Sequence, residues 1–232
     1  MKGKYEHLFF DLDHTLWDFE SNSEATLRVL YEQYELASKG IGEFDVFHKT
    51  YCGHNDRMWE RFRKGYIKRE ELRWKRLWLT LLDFKIADTT LTHEMSAVYL
   101  ELLPTQTALM PFSKELLESC RSRYQMHLIT NGFETTQWQK LRNAGIEDYF
   151  THVITSEGSN SLKPQKEIFD YALQVSGAAK EKSLMLGDAL DIDILGAQNA
   201  GWDQVYYNPL RITHTGKPTY EVFCWRELLD KL

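Results

Sequence analysis

Residues 7–12 (HLFFDL) are apolar up to a terminal acid, yet the next strand-like run, residues 125–130 (QMHLIT), lies on the far side of a long helical stretch. A run with no polar alternation has to be buried on both faces, as the central strand of a parallel sheet is. Such a strand needs neighbours, and they must come from late in the chain. The intervening residues are therefore an insertion into a sheet that closes afterwards. They begin with Ser21, Asn22, Ser23 and Glu24, polar caps ahead of Ala25, Leu27, Val29 and Leu30. Down to about residue 103, Trp59, Phe62, Leu72, Trp74, Leu77, Trp78, Leu81 and Leu82 recur at three- and four-residue steps. That spacing predicts a compact all-helical block of four or five helices.

Past Pro111 the pattern alternates. Residues 114–123 read as helix, 125–130 as strand, and 134–144 as a helix ended by Gly145. Strand-like runs at 149–155 and 183–186 flank a helix near 165–175, and a helix at 191–200, stopped by Gly201, precedes a strand at 204–207. Strands separated by single helices imply an α/β fold with a doubly wound parallel sheet. The expected division is a core of residues 1–17 and 105–232 with a helical insert of residues 18–104.

Composition narrows the function. With 43% hydrophobic and 27% charged residues in 232, the chain has the makings of a folded globule. No apolar run reaches the ~18 residues a membrane span needs, and no signal-peptide pattern opens the sequence, so a cytoplasmic protein with no membrane partner is expected. Lys plus Arg total 28 against 34 Asp plus Glu, a net charge of −6. That balance disfavours a nucleic acid polymer as partner but leaves room for a small anion at a locally positive site. Cys52, Cys120 and Cys224 are odd in number and contain no CxxC pair, which suits neither a disulfide framework nor a zinc site, so they read as small packed hydrophobes.

Four short motifs fall at predicted strand ends, and in a doubly wound sheet the carboxyl edge is where ligands bind. Asp11-Leu12-Asp13-His14-Thr15-Leu16 ends the first strand with two acids whose mutual repulsion calls for a cation or a split of protonation states. Leu128-Ile129-Thr130-Asn131-Gly132 offers a hydroxyl, an amide and a tight turn before a helix, a cradle for an anion. Leu162-Lys163-Pro164 adds a cation before a helix-opening proline. In Gly187-Asp188-Ala189-Leu190-Asp191-Ile192-Asp193, Asp188 and Asp193 flank the turn while Asp191 reads as a helix-start or solvent residue. Acids from two strands suit Mg²⁺, which takes hard oxygen ligands, and the Thr, Asn and Lys suit phosphoryl oxygens.

DLDHTL, ITNG, LKP and GDALDID, in that order, resemble the signature motifs of the haloacid dehalogenase (HAD) superfamily. The resemblance implies a Rossmann-like HAD core whose helical insert is a C1-type cap. It implies that Asp11 is the nucleophile that forms an aspartyl-phosphate. Asp13 becomes the general acid and then the base, with a pKa raised by its acidic neighbour. Thr130, Asn131 and Gly132 hold phosphate together with Lys163, which neutralises it. Mg²⁺ is expected on Asp11, Asp188 and the main-chain oxygen of Asp13, with Asp193 as a supporting acid. His14 departs from the family's frequent glycine at that position.

Further details are similar to the pyrimidine 5'-nucleotidase, or house-cleaning nucleotidase, branch: DLDHTLWDF, TNGF followed by Gln137 and Gln139-Lys140-Leu141, and GDALDIDILGAQNAGWD. They imply hydrolysis of dUMP, UMP or dTMP by a monomer or homodimer. A phosphatase for sugar phosphates or phosphoglycolate is the alternative enzyme, and a non-catalytic phospho-aspartate receiver is the alternative outside enzymes. The insert's aromatics, Trp59, Phe62, Tyr66, Trp74 and Trp78, read as core at their helical spacing, with stacking on a base as the other option. Arg57, Arg61, Arg63 and Lys64 read as a solvated face. Trp17 and Phe19, near the nucleophile, are candidates to line a substrate entrance.

Overall fold

A computed structural model describes residue 1 and residues 3–232. In chain order the elements are β1 (His7–Phe10), α1 (Phe19–Gln33), α2 (Phe44–Arg63), α3 (Arg69–Asp83), α4 (Thr89–Leu102), α5 (Ser113–Cys120), β2 (Gln125–Thr130) and α6 (Glu134–Asn143). They continue with β3 (His152–Thr155), α7 (Ser156–Ser159), α8 (Lys166–Ser176), β4 (Ser183–Gly187), α9 (Leu195–Ala200), β5 (Asp203–Tyr207) and β6 (Tyr220–Val222). The described residues divide into two compact units, Met1–Phe19 with Thr107–Leu232, and Glu20–Gln106.

The first unit is a six-stranded sheet of order β3-β2-β1-β4-β5-β6, every pair parallel. This is the doubly wound order in which the direction of winding reverses beside β1, and the reversal opens a crevice at the strand carboxyl ends. β1 pairs with β2 on one side and β4 on the other, all four of its residues buried. That explains its apolar run: it is the strand with a neighbour on each edge and cover on each face. Phe9, Ile129, Ile154 and Met185 share one face and pack with Ile168, Phe169 and Ala172 of α8 and Ala197 and Ala200 of α9. By strand alternation Leu8, Phe10, Leu128, Leu184 and Leu186 point to the other face, where they too are buried.

The second unit is α-helical. Its core is Leu27, Leu30, Phe47, Tyr51, Met58, Leu72, Leu77, Leu81, Met95 and Tyr99. Asp88 caps α4 by accepting a hydrogen bond from the Leu91 amide at 2.9 Å. Two buried polar pairs sit within this unit: the Ser23 and Tyr99 hydroxyls lie 2.9 Å apart, and Arg76 Nη1 donates to Asn55 Oδ1 at 3.0 Å.

Several expectations are corrected. β1 stops at Phe10, and Asp11 and Asp13 lie in the segment that follows it. α1 starts at Phe19, ahead of the polar run thought to cap it, and Asn22 and Ser23 are buried inside it. The strand expected at 149–155 is shortened to four residues by a 3-10 turn at Glu147–Tyr149. β6 was not foreseen, because a three-residue strand carries too little alternation to register. The five aromatics expected in the insert's core are not in it: Trp59, Phe62, Trp74 and Trp78 are half-buried and Tyr66 is exposed, while Phe47, Tyr51 and Tyr99 lie in the interior. Of the cysteines, Cys120 alone is buried; Cys52 and Cys224 are half-exposed, and none is in a disulfide.

Candidate active site

The motifs converge at the carboxyl edge beside β1. Asp11 follows β1 directly, its amide donating to the Leu186 carbonyl of β4 at 2.9 Å, which carries the strand pairing one residue further. Lys163 reaches it from the loop before α8. Its buried ammonium lies 2.5 Å from Asp11 Oδ1, 2.7 Å from Asp193 Oδ1 and 2.7 Å from the Ile129 carbonyl. Asp188, just past β4, accepts from Thr15 Oγ1 at 2.8 Å, and its own amide donates back to that oxygen at 3.1 Å. Asp193 accepts from the Ala189 amide at 3.0 Å. A Cβ on Gly187 would collide with the Asp193 carboxylate, so only glycine lets that acid sit against the strand end.

Carboxylate oxygens of Asp11, Asp188 and Asp193 all lie within 4.8 Å of one another. One ammonium faces these three acids. Burial, only partly offset by Lys163 and reinforced by Asp193 and Asp188, pushes the Asp11 carboxyl up to about 8. Burial and then Asp193 push Asp188 up to about 7. Burial alone would lower Lys163, but the charges of Asp11 and Asp193 outweigh it and hold it firmly as an ammonium. Without a cation the crowded acids relieve their repulsion by holding protons, and a cluster made entirely of hard oxygen donors fits a small divalent cation and not a soft one.

Asp13 contradicts its expected electrostatics. Its carboxylate turns toward α6, accepting from Lys140 Nζ at 2.6 Å and from Gln137 Nε2 at 3.0 Å. Burial would raise it, but the Lys140 charge and the hydrogen bonds from Lys140 and Gln137 hold it below the usual carboxylate range. An acidic neighbour does not govern it, because the turn after Phe10 separates the two side chains. Lys140 is itself buried, its ammonium 4.3 Å from the centre of the Trp17 ring and 5.6 Å from that of Phe19. Trp17 is wholly buried, so it is a floor under Lys140 and lines no entrance. His14 sits at φ +63°, the left-handed region that glycine occupies at least cost, which is the backbone reason for a glycine there.

In the second motif, Thr130 Oγ1 accepts from Gln137 Nε2 at 2.7 Å and from the Gly132 amide at 3.0 Å. A Cβ on Gly132 would overlap the Gln137 side chain, so that approach also needs glycine. Asn131 spends both ends of its amide on the main chain of Lys163, donating to its carbonyl at 2.9 Å and accepting from its amide at 2.8 Å. The sequence reading gave no role to Thr15, Gln137 or Lys140. Each lies within or beside a quoted motif, but their partners are set by folding across more than a hundred positions and leave no local trace.

The sequence pattern of the haloacid dehalogenase-like hydrolases matches residues 5–201. The chain is 33% identical to the pyrimidine 5'-nucleotidase PynA of Streptococcus pneumoniae (strain ATCC BAA-255 / R6), over 98% of this chain and 95% of that one. It is 27% identical to the pyrimidine 5'-nucleotidase YjjG of Escherichia coli (strain K12), covering 88% and 87%. Its fold superposes on a magnesium-bound crystal structure of the HAD-hydrolase YfnB from Bacillus subtilis with a TM-score of 0.89, 28% identity and 98% of each chain covered.

Proposed function

This chain belongs to the haloacid dehalogenase-like hydrolase family, and on that premise we propose that it is a magnesium-dependent phosphomonoesterase acting on pyrimidine nucleoside 5'-monophosphates such as dUMP, UMP and dTMP. What carries the phosphatase reading is the buried cluster at the sheet's reversal point, three carboxylates against one ammonium. The nucleotide preference rests on similarity to PynA and YjjG along nearly the whole chain. The α/β unit carries the chemistry, and the helical unit is assigned the part of a cap that selects substrates of the cytoplasm's small phosphorylated metabolites.

Magnesium would be held by Asp11, Asp188 and the main-chain oxygen of Asp13, where it would supply positive charge that offsets the acids and the phosphoryl oxygens. Lys163 holds Asp11 Oδ1, which leaves Oδ2 to attack phosphorus. The ester P–O bond breaks as the Asp11–phosphorus bond forms, and the leaving oxygen takes a proton from Asp13. Water then attacks the aspartyl-phosphate, returning a proton to Asp13 and releasing phosphate. Because Lys140 and Gln137 keep Asp13 ionised at rest, the proton for the first step enters with the substrate: a phosphate monoester with a second pKa near about 6 is partly monoanionic near neutrality. Thr130 and the turn at Gly132 receive the phosphoryl oxygens, while Asn131 fixes the Lys163 main chain. Asp193, 2.7 Å from the Lys163 ammonium, holds that charge beside Asp11.

The test is magnesium-dependent phosphate release over a panel of nucleotides, sugar phosphates and phosphoglycolate, with Asp11→Asn alongside. Pyrimidine monophosphates should be turned over best, and the variant should fold but lose essentially all turnover. Equal or better release from glycolate or sugar phosphates removes the nucleotide assignment and leaves the phosphatase. Wild-type release by Asp11→Asn removes the nucleophile assignment.

A further inference from the structure

A second group of ligand-type side chains lies wholly within the helical unit. His48 and Cys52 stand one turn apart on α2, and their Nε2 and Sγ atoms are 3.5 Å apart. Glu20, on α1, places a carboxylate oxygen so that all three donor atoms fall within 4.8 Å of one another. We propose that Glu20, His48 and Cys52 form a zinc site that joins α1 to α2, with the fourth tetrahedral position left to water.

The donor chemistry selects the metal. Thiolate, imidazole and carboxylate together suit zinc, whereas magnesium and calcium take oxygen alone. The geometry agrees with that choice. With zinc–sulfur near 2.3 Å and zinc–nitrogen near 2.0–2.1 Å, two ligands of a tetrahedron lie about 3.5 Å apart, the spacing of the His48–Cys52 pair. Glu20, exposed near the start of α1, brings the third donor from a second helix. The His48 ring is also oriented from behind: it stacks on Phe44 at 5.7 Å and 12°, and the Arg28 guanidinium covers the Phe44 ring at 3.9 Å. Burial first, then the charges of Glu20, Asp56 and Glu24, push the Cys52 thiol up to about 11, so it is a thiol until a dication displaces its proton. On binding, the Cys52 thiol passes its proton to solvent and the thiolate takes the metal.

No residue of this group belongs to the phosphatase cluster, so the two sites can be read separately. The earlier exclusion of zinc from cysteine spacing holds for sites built on several cysteines; one cysteine, one histidine four residues before it and an acid from another helix form no sequence signature.

Chelator-stripped full-length protein, given zinc in the presence of excess Mg²⁺, should retain one zinc per chain after gel filtration. Cobalt in place of zinc should give tetrahedral d–d bands and a thiolate-to-cobalt charge-transfer band. Cys52→Ser should lose that band, and His48→Ala should bind zinc at least ~100-fold more weakly, since even outer-shell losses cost about 10–100-fold. Cys224→Ser, at the other half-exposed cysteine, should change neither. In the wild-type protein zinc should slow alkylation of Cys52, mapped by mass spectrometry, by about tenfold or more, a readout that needs no variant to fold. Absence of retained zinc, a cobalt spectrum without thiolate character, unprotected Cys52, or a band that survives Cys52→Ser would each overturn the assignment.

Discussion

Lys140 decides the protonation state in which Asp13 waits. The ammonium is buried on the Trp17 ring and bonded to a carboxylate whose side chain is only 25% exposed. Lys140→Met keeps the apolar stem over Trp17 and removes the charge. Asp13 then loses the partner that depresses it, and burial takes over and raises it. A depressed carboxylate contributes stability that is present above its unfolded pKa and lost as pH falls through the folded one, so the variant forfeits that contribution at neutral pH. Removing one member of a buried pair costs about 3–5 kcal/mol, and the partial exposure of Asp13 brings the expectation down to about 1–3 kcal/mol. The kinetic consequence separates this role from packing. The acidic limb of the kcat–pH profile should move to higher pH while KM changes little. A variant with lower kcat but an unmoved limb would show that Lys140 merely packs.

At the scale of elements, β1, β2 and β3 carry a column of histidines at the amino-terminal half of the sheet, away from the reacting edge. His7 Nδ1 and His127 Nε2 share a hydrogen bond at 3.0 Å, and His127 stacks on His152 at 5.3 Å. Burial first, then the neighbouring rings, push His127 down to about 3, so it folds as a neutral ring. Unfolded histidine takes a proton below about pH 6.5 that the folded ring refuses, and stability therefore falls from there toward pH 3, by about 2 kcal/mol between pH 7.5 and pH 5. Asp11 and Asp188 work in the opposite direction, because their raised carboxyls favour the folded state as pH drops. Comparing urea unfolding of wild type and His127→Leu at both pH values isolates the column: the leucine variant should lose less stability on acidification, and equal losses would sink the idea.

The column also marks how far elements are legible in sequence. QMHLIT gives β2 with its bounds intact, and the apolar run of β1 foretells a central strand. The same letters say nothing of His7 meeting His127, since that contact depends on register between strands far apart in the chain. Asp11 and Asp188 could be found because each directly follows a strand, where topology alone places it on the ligand edge; Lys163 and Asp193 reach the same edge from the loop before α8 and the helical turn after β4. Asp13's partner could not, because the turn that swings it toward α6 is set by tertiary contacts. β6 and the early start of α1 were missed for a related reason: three residues carry no period, and a polar run that caps in isolation was buried by packing.

For the whole molecule, the chain crosses between its two units at residues 19–20 and again at 106–107. The helical unit is continuous in sequence and built from local contacts. The α/β unit is not, since β1 must wait for β2 and β4 before its buried faces are covered. Ligands of the carboxylate cluster belong entirely to the α/β unit. A cation that binds the folded cluster and not the unfolded chain stabilises that unit by about 2.7 kcal/mol at a hundred times its Kd. Amides that exchange through unfolding of the unit should then slow about 100-fold with Mg²⁺, those of β1, β4 and the 188–194 turn among them, while amides of residues 20–106 keep their rates. Hydrogen exchange followed by mass spectrometry reads both regions in one experiment, and Asp188→Asn should abolish the effect. Uniform slowing across both regions would mean that the units unfold as one, whereas no slowing anywhere would deny the cluster its metal.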